Sequence, residues 1–593
     1  MDALALMVVC GVGYLVAYHT YGRFLARKIF KLDAGRMVPS REVNDGIDYV
    51  PTRKGILFGH HFTSIAGTGP IVGPAIGLIW GWLPAILWVT LGCIFMGAVH
   101  DFGALVISLR NEGKSISEVA ARYINKRVRL IFFLIVFFAL LIVIAIFGIV
   151  IATVFKSYPQ SIAAVWLQIP IAILLGRAIY KKGANVTLAT VLAVAGMYAS
   201  VALGAWLYKV CPQWLQMPTV LGIPPTGVWT IILLIYCFFA STLPVTLLLQ
   251  PRDYINAWQL FIMMGLLVAG AVASAFGSEQ FVLSAPVYQA PFADVPNLMP
   301  MMFVTIACGA ISGFHSLVAS GTSPKQLARE TDAQFVGYGS MLLEGMLAVL
   351  VIICIAAGVG MGANGLSGRA AWDSFYTGWM EGRGLDSNLR PVVIGAANML
   401  GSIGIKPALG AAIVGVFICS FAGTTLDTTV RIQRYVVGEL AEDMKVRFLA
   451  GRYAATTVAV ISAAAMAFIN TSGGKITFGA DGTGALRLWP LFGTVNQLLA
   501  ALALLVVTMY LKRQGGRKFL LAALPCIGIL LITCWAMVIN EVGYYRQRNW
   551  LLAGVGGVIL LMAVWMVVET AIVFCRSGVV RNPEPEGRAP VKE

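Results

Sequence analysis

The sequence predicts an all-α polytopic membrane protein of about fifteen transmembrane helices, with an inverted-repeat core that contains two broken helices. Three observations predict it. Of 593 residues, 59% are hydrophobic and 12% charged, and the mean hydropathy is +0.82, whereas a soluble domain carries about 25% charged residues. Lys and Arg gather in short loops that alternate with loops poor in them. One short motif occurs twice, and each copy sets Gly and Pro into an apolar segment.

Apolar runs of spanning length, roughly 17–25 residues each, fall at 3–22, 57–80, 83–109, 129–155, 160–178, 187–208, 228–249, 255–276, 300–322, 335–361, 407–429, 453–470, 487–511, 519–540 and 549–575. A shorter apolar stretch, 391–405, reads as a re-entrant or interfacial segment. The first run is a retained anchor rather than a cleaved signal peptide, because Asp2 precedes it and its positive charges follow it. Basic clusters follow the first span (Arg23, Arg27, Lys28, Lys31, Arg36), the third (Arg110, Lys114, Arg122, Lys126) and the fifth (Arg177, Lys181, Lys182). Others follow the ninth (Lys325, Arg329), the eleventh (Arg431, Arg434, Lys445, Arg447) and the thirteenth (Lys512, Arg513, Arg517, Lys518), while 277–299 has none. All of them lie on one side if the N-terminus is outside and the C-terminus cytoplasmic. The formal charge of +16 is therefore read as topology-determining, in contact with a lipid bilayer, and not as a nucleic-acid-binding face.

The expected organisation is an N-out anchor and basic loop (1–55), a first repeat (56–226), intervening helices with an external loop (227–299), a second repeat (300–540), and a peripheral helix with a tail (541–593). Spans one, fourteen and fifteen are expected at the periphery. The tail from Arg576 is polar and expected to be disordered. The longest external loop, about 362–390, is too small to build a soluble catalytic core, so no enzyme is expected. The ten cysteines include no CxxC pair and lie mostly in apolar runs (Cys93, Cys237, Cys308, Cys354, Cys419). They read as small buried hydrophobes, with no disulfide, metal cluster or cofactor.

The repeated motif reads HFTSIAGTGP over His61–Pro70 and HSLVASGTSP over His315–Pro324. Interrupting a span leaves backbone groups that protein, water or a ligand must satisfy. A matched pair of interrupted spans points to a transport site; the plainer reading is close helix packing on small residues. The predicted topology writes the first copy outward and the second inward, as an inverted repeat demands. A break offers free amides and a positive helix end to a carboxylate, and free carbonyls to a cation. The expected substrate residues are His61, Thr63, Ser64, Gly67, Thr68, Gly69, His315, Ser320, Gly321 and Thr322. Ionisable groups inside spans are expensive and default to function: Asp101, Glu344, Asp427, His61 and His315 are the expected proton carriers. For Asp427 an equal alternative is an ion pair with Arg431, four residues on along one helical face. Arg252 and Asp253 are expected to fix a tight inner loop. Asn496 and Gln497 read as interhelical glue rather than a site wall.

The segments Gly59-His60-His61-Phe62 through Gly73-Pro74, Pro251-Arg252-Asp253-Tyr254, Ser312-Gly313-Phe314-His315 through Pro324-Lys325, Asp427 through Arg431, and Leu488-Trp489-Pro490 through Gln497 resemble the carbon starvation protein A family of bacterial inner-membrane transporters. The resemblance extends over most of the chain. It implies uptake of peptides or pyruvate, driven by the proton gradient, and a LeuT/APC-like inverted-repeat core. No nucleotide-binding signature is present to supply another energy source. The rival classes are an intramembrane metal or haem redox protein, which the roughly 100° between His60 and His61 on a helix disfavours, and a nutrient sensor that keeps a transporter fold.

Overall fold

The computed structural model describes residues 3–277, 281–379, 385–472 and 475–576; the expected tail beyond Arg576 lies outside the described residues. Twelve described helices are long and apolar enough to cross a membrane without interruption. They are α1 (Ala3–Ile29), α4 (Trp82–Leu109), α5 (Lys126–Ser157), α6 (Gln160–Lys181), α7 (Val186–Val210), α8 (Pro225–Thr242), α9 (Leu249–Gly277), α12 (Glu330–Met361), α14 (Pro407–Glu442), α16 (Trp489–Arg513), α17 (Leu520–Arg546) and α18 (Trp550–Arg576). The run expected at 57–80 is a pair, α2 (Lys54–Ile65) and α3 (Gly69–Gly77), bent by 42°. The run expected at 300–322 is two short helices, α10 (Leu298–Thr305) and α11 (Gly313–Gly321). The run expected at 453–470 is α15 (Arg452–Phe468). The stretch expected to be re-entrant belongs to a helix, α13 (Leu385–Gly401). A two-stranded antiparallel hairpin, β1 (Ile469–Ser472) and β2 (Lys475–Phe478), follows α15.

Sequence character sorts these helices into centre and rim. A helix that is apolar all round belongs inside, and α5, with the highest mean hydropathy (3.5), packs along α14 near the centre. By contrast α18 exposes Leu561 and Trp565 on its outer face, where lipid supplies the apolar surroundings. α17 likewise exposes Leu524, Leu531 and Trp535 on its outer face. It packs against α10 and α16, and Thr533 donates to Gln497 Oε1 at 3.2 Å.

The two broken segments share one end. Val50 N–H donates to Lys325 O at 3.0 Å and Thr52 N–H to Gln326 O at 2.9 Å. α2 leaves this end, which carries the basic loops, and α11 returns to it, so the two half-helices run antiparallel.

Candidate functional site

The first break follows from its sequence. Near the end of α2, Thr63 Oγ1 donates back to Gly59 O at 2.8 Å and Ser64 Oγ to His60 O at 2.7 Å, a side-chain competition with the helix ladder that favours bending. The chain then crosses Ala66–Thr68, and α3 starts with Pro70 in its first turn, where a missing N–H is harmless. The second break lies at 306–312, upstream of the repeated motif. Gly309 there adopts φ +88°, a conformation glycine takes without strain. The second copy of the motif therefore does not sit on a break: its Gly-Thr-Ser-Pro ends α11 and enters a short 3-10 turn, Ser323–Lys325. One motif breaks a span in its first copy and terminates a half-helix in its second.

A cavity of about 40 Å³ lies between the breaks. Thr68 and Gly69 of the first break line it, with Thr305 and Cys308 of the second. In the first turn of α3 Pro70 has no N–H and Ile71 and Val72 donate to Thr68 O, which leaves the N–H of Gly69, while at the end of α10 Met302 O accepts Ile306 N–H and Phe303 O accepts Gln497; a positive helix end and a negative one still meet across this space. Trp489, Phe492 and Thr494 at the start of α16 and Asn540 of α17 complete the wall. Asn540 was not foreseen, because a lone amide near a span end carries no sequence signal. α3 closes against the second break with a face of glycines: a Cβ on Gly73 would lie 2.8 Å from Thr305 O, and one on Gly69 would fall on the Cys308 side chain.

The other expected substrate residues lie elsewhere. His61 Nδ1 is 2.7 Å from Ser323 Oγ. Gly67 packs on the Thr425 hydroxyl and Gly321 on Ile432. Ser320 Oγ donates to Ser316 O at 2.6 Å and accepts Ile116 N–H at 3.1 Å. Thr322 ends α11. Ser320, Gly321 and Thr322 thus finish the half-helix at the end away from the break.

Three expected proton carriers meet. His315, in the first turn of α11, places Nδ1 3.0 Å from Asp101 Oδ2 and Nε2 3.2 Å from Glu344 Oε2. His100 Nδ1 lies 2.7 Å from Asp101 Oδ1, and Glu344 Oε1 accepts the N–H of Gly309 at 3.1 Å. All four side chains are fully buried. A neutral imidazole carries one N–H, so His315 can pair with both carboxylates at once only as an imidazolium or with a carboxyl protonated; Nε2 and Glu344 Oε2 are close enough to pair but are not aligned as a hydrogen bond. The bond to Gly309 ties that proton to the unwound backbone of the second break.

Of the two remaining expected carriers, His61 bonds Ser323 and Asp427 belongs to another cluster. It pairs with Arg252 and accepts the Tyr236 hydroxyl at 2.9 Å. The alternative pair with Arg431 does not form. Helical spacing permits that pair, but Arg252 already holds the carboxylate, and Arg431 reaches instead to Asp48 at 2.7 Å and to the carbonyls ending α8, Ala240 O among them. Arg252 and Asp253 do not sit in a loop either. The turn is over by residue 248, and both lie buried in the first turns of α9, with Asp253 Oδ2 2.5 Å from His60 Nδ1. Asn496 accepts Phe314 N–H at 2.9 Å and bonds Ser312, while Gln497 donates to Phe303 O at 2.9 Å. Both join α16 to the second broken segment. Among the described residues no group of three or more His, Cys, Asp or Glu is arranged to hold a metal ion.

The carbon starvation protein CstA family profile matches residues 2–362 and 386–536. The chain belongs to the carbon starvation protein CstA family. The peptide transporter CstA of Campylobacter jejuni is 33% identical over 93% of this chain and 82% of its own length. That of Bacillus subtilis is 29% identical over 96% and 97%. The pyruvate/proton symporter BtsT of Escherichia coli is 30% identical over 91% and 81%. Among solved structures, MhsT in complex with L-phenylalanine is similar over 82% of this chain and 98% of that one, at 14% identity and a TM-score of 0.48.

This family member carries an ionic clamp at its basic end. Asp48 accepts Arg431 Nη1 at 2.7 Å, Arg434 Nη2 at 3.0 Å and the Tyr435 hydroxyl at 2.8 Å. Lys325 lies over the Tyr435 ring at 3.7 Å. Burial pushes the Asp48 carboxyl up, but Arg431, Arg434 and Lys325 together outweigh it and hold it below the ordinary value. A depressed carboxyl stabilises above its unfolded pKa, about 3.9, and loses that contribution as pH falls through its folded value. Asp48→Asn is expected to lower thermal stability at pH 7 by roughly 2–3 kcal/mol, the scale of hydrogen bonds to charged groups. In a thermal melt the gap from wild type closes as pH drops below about 4.

Proposed function

We propose that the protein is a proton-coupled secondary transporter that imports small carboxylate-bearing nutrients, peptides foremost, across a bacterial inner membrane under carbon starvation. Its N-terminus lies outside and its C-terminus in the cytoplasm, as the basic loops require. The substrate crosses chemically unchanged, by alternating access around the cavity between the breaks. Segments 56–226 and 300–540 act as the two inverted units.

One observation carries this reading: the buried Asp101–His315–Glu344 group is bonded through Gly309 to the break that lines the cavity. Protonation and backbone rearrangement at the cavity then share one element. The positive end of α3, with Gly69 N–H, suits a carboxylate, and the negative end of α10 suits the ammonium of a peptide. The names of the relatives agree with a peptide substrate or with pyruvate. Pyruvate is the second reading, and the cavity's small volume, about 40 Å³, favours it over a peptide in this closed arrangement.

Purified protein in liposomes tests both. Labelled dialanine is expected to accumulate when the exterior is acidic and not when the pH gradient is collapsed. Accumulation that ignores the gradient defeats proton coupling. Pyruvate uptake that excess di- and tripeptides leave untouched makes pyruvate the substrate.

A further inference from the structure

We propose that His60 and Asp253 form a second proton-binding centre, so that each transport cycle carries two protons. The proposal rests on the proton-coupled reading above and goes beyond it in assigning a second site and a stoichiometry.

Charge counting leads to it. Around His315 stand two carboxylates, Asp101 and Glu344, with His100 on Asp101; with His315 as imidazolium and His100 neutral the group is left at −1. Around Arg252 stand two more, Asp427 and Asp253, fully buried; with His60 neutral this group is also left at −1. An uncompensated charge inside a membrane protein is expensive. Each group therefore lacks one proton for neutrality, and each holds a histidine or carboxyl able to take it.

Geometry keeps the groups apart. His60 and His61 are neighbours on α2, so their side chains diverge by roughly 100°. His60 turns to Asp253 on α9 at 2.5 Å, and His61 to Ser323 at 2.7 Å. The ionisable groups about the pair are Arg252 on its own helix and, on α14, Asp427, with Tyr236 and Cys237 of α8 bonded to Asp427. From α11 and α12, His315 and Glu344 face Asp101 and each other. Lys325 lies over Tyr435.

The pair also has room for a proton and a link to the first break. Asp253 Oδ1 and His60 Nε2 are buried without a partner. Ser64, on the last turn of α2, lies 3.4 Å from Asp253 Oδ2 and 3.1 Å from Thr428 Oγ1. The second centre thus touches the first break, as the Asp101–His315–Glu344 centre touches the second. Loading adds one proton to the pair, whose charge rises by one unit; release on the opposite side of the membrane returns it.

Stoichiometry tests the proposal. In liposomes with the membrane voltage held at zero, the substrate gradient that exactly balances a one-unit pH gradient is measured. Two protons balance a substrate gradient of about 100-fold, one proton a gradient of about tenfold. Wild type is expected at about 100-fold and Asp253→Asn at about tenfold, with counterflow exchange showing that the variant is folded. His60→Gln, expected at tenfold, replaces Asp253→Asn if that variant does not fold. Wild type at tenfold overturns the second centre and leaves proton coupling standing. Wild type at 100-fold with both variants also at 100-fold removes the assignment to this pair. A balance point that ignores the pH gradient overturns coupling itself.

Discussion

Asp101→Asn is expected to abolish gradient-driven uptake while substrate-for-substrate exchange persists. The asparagine keeps the shape and can still bond His100 or His315, but it takes no proton and no charge. His315 is left with Glu344 alone, and the group loses the charge change that drives the second break. Removing one partner of a buried ion pair costs about 3–5 kcal/mol of stability, so thermal melting is read beside transport. Uptake against a gradient should fall to the level found with the pH gradient collapsed. Glu344→Gln should act alike, since Glu344 also holds Gly309 N–H. Initial rates in liposomes with an acidic exterior measure the first effect, and counterflow of labelled substrate the second. Undiminished gradient-driven uptake in Asp101→Asn would falsify the assignment.

Gly69→Ala is expected to cut transport about tenfold or more, and Cys308→Gly in the same chain to restore much of it. A methyl at Gly69 falls on the Cys308 side chain, between a positive helix end and the cavity. Overpacking of this kind costs typically 1–3 kcal/mol, and here it separates two backbones that must meet. Removing the Cys308 side chain reopens the space, so the pair should be non-additive as contacting residues are. Uptake and thermal melting of the two single variants and the double variant give the cycle. Additive losses would mean that Gly69 acts through something other than Cys308.

Composition and loop charge made the membrane class and nearly every span legible, because both are local properties of the chain. The breaks were half legible. Gly67, Gly69 and Pro70 stand on the first. The second has no proline, and its one clear device, Gly309, is a lone glycine in an apolar run, indistinguishable there from a packing residue. The duplicated motif pointed to the right half-helices but marked different positions on them. Asp101, His315 and Glu344 were visible as ionisable groups within spans; their meeting is tertiary and no spacing encodes it. Arg431 shows the converse. Its four-residue spacing from Asp427 is true of any helix, but a long guanidinium goes to the carboxylate left free, and Asp48 lies in a loop far along the chain.

The basic end is held by two kinds of bond that answer differently to sequence drift. The Asp48 clamp is made of side chains, so one substitution removes it. The bonds from Val50 and Thr52 to Lys325 and Gln326 are main chain to main chain and indifferent to what the residues carry. Short of a proline at position 50 or 52, which removes the donor, no single replacement deletes them. Drift can therefore retune how firmly the segments at this end are held together while the register in which they pair is inherited unchanged.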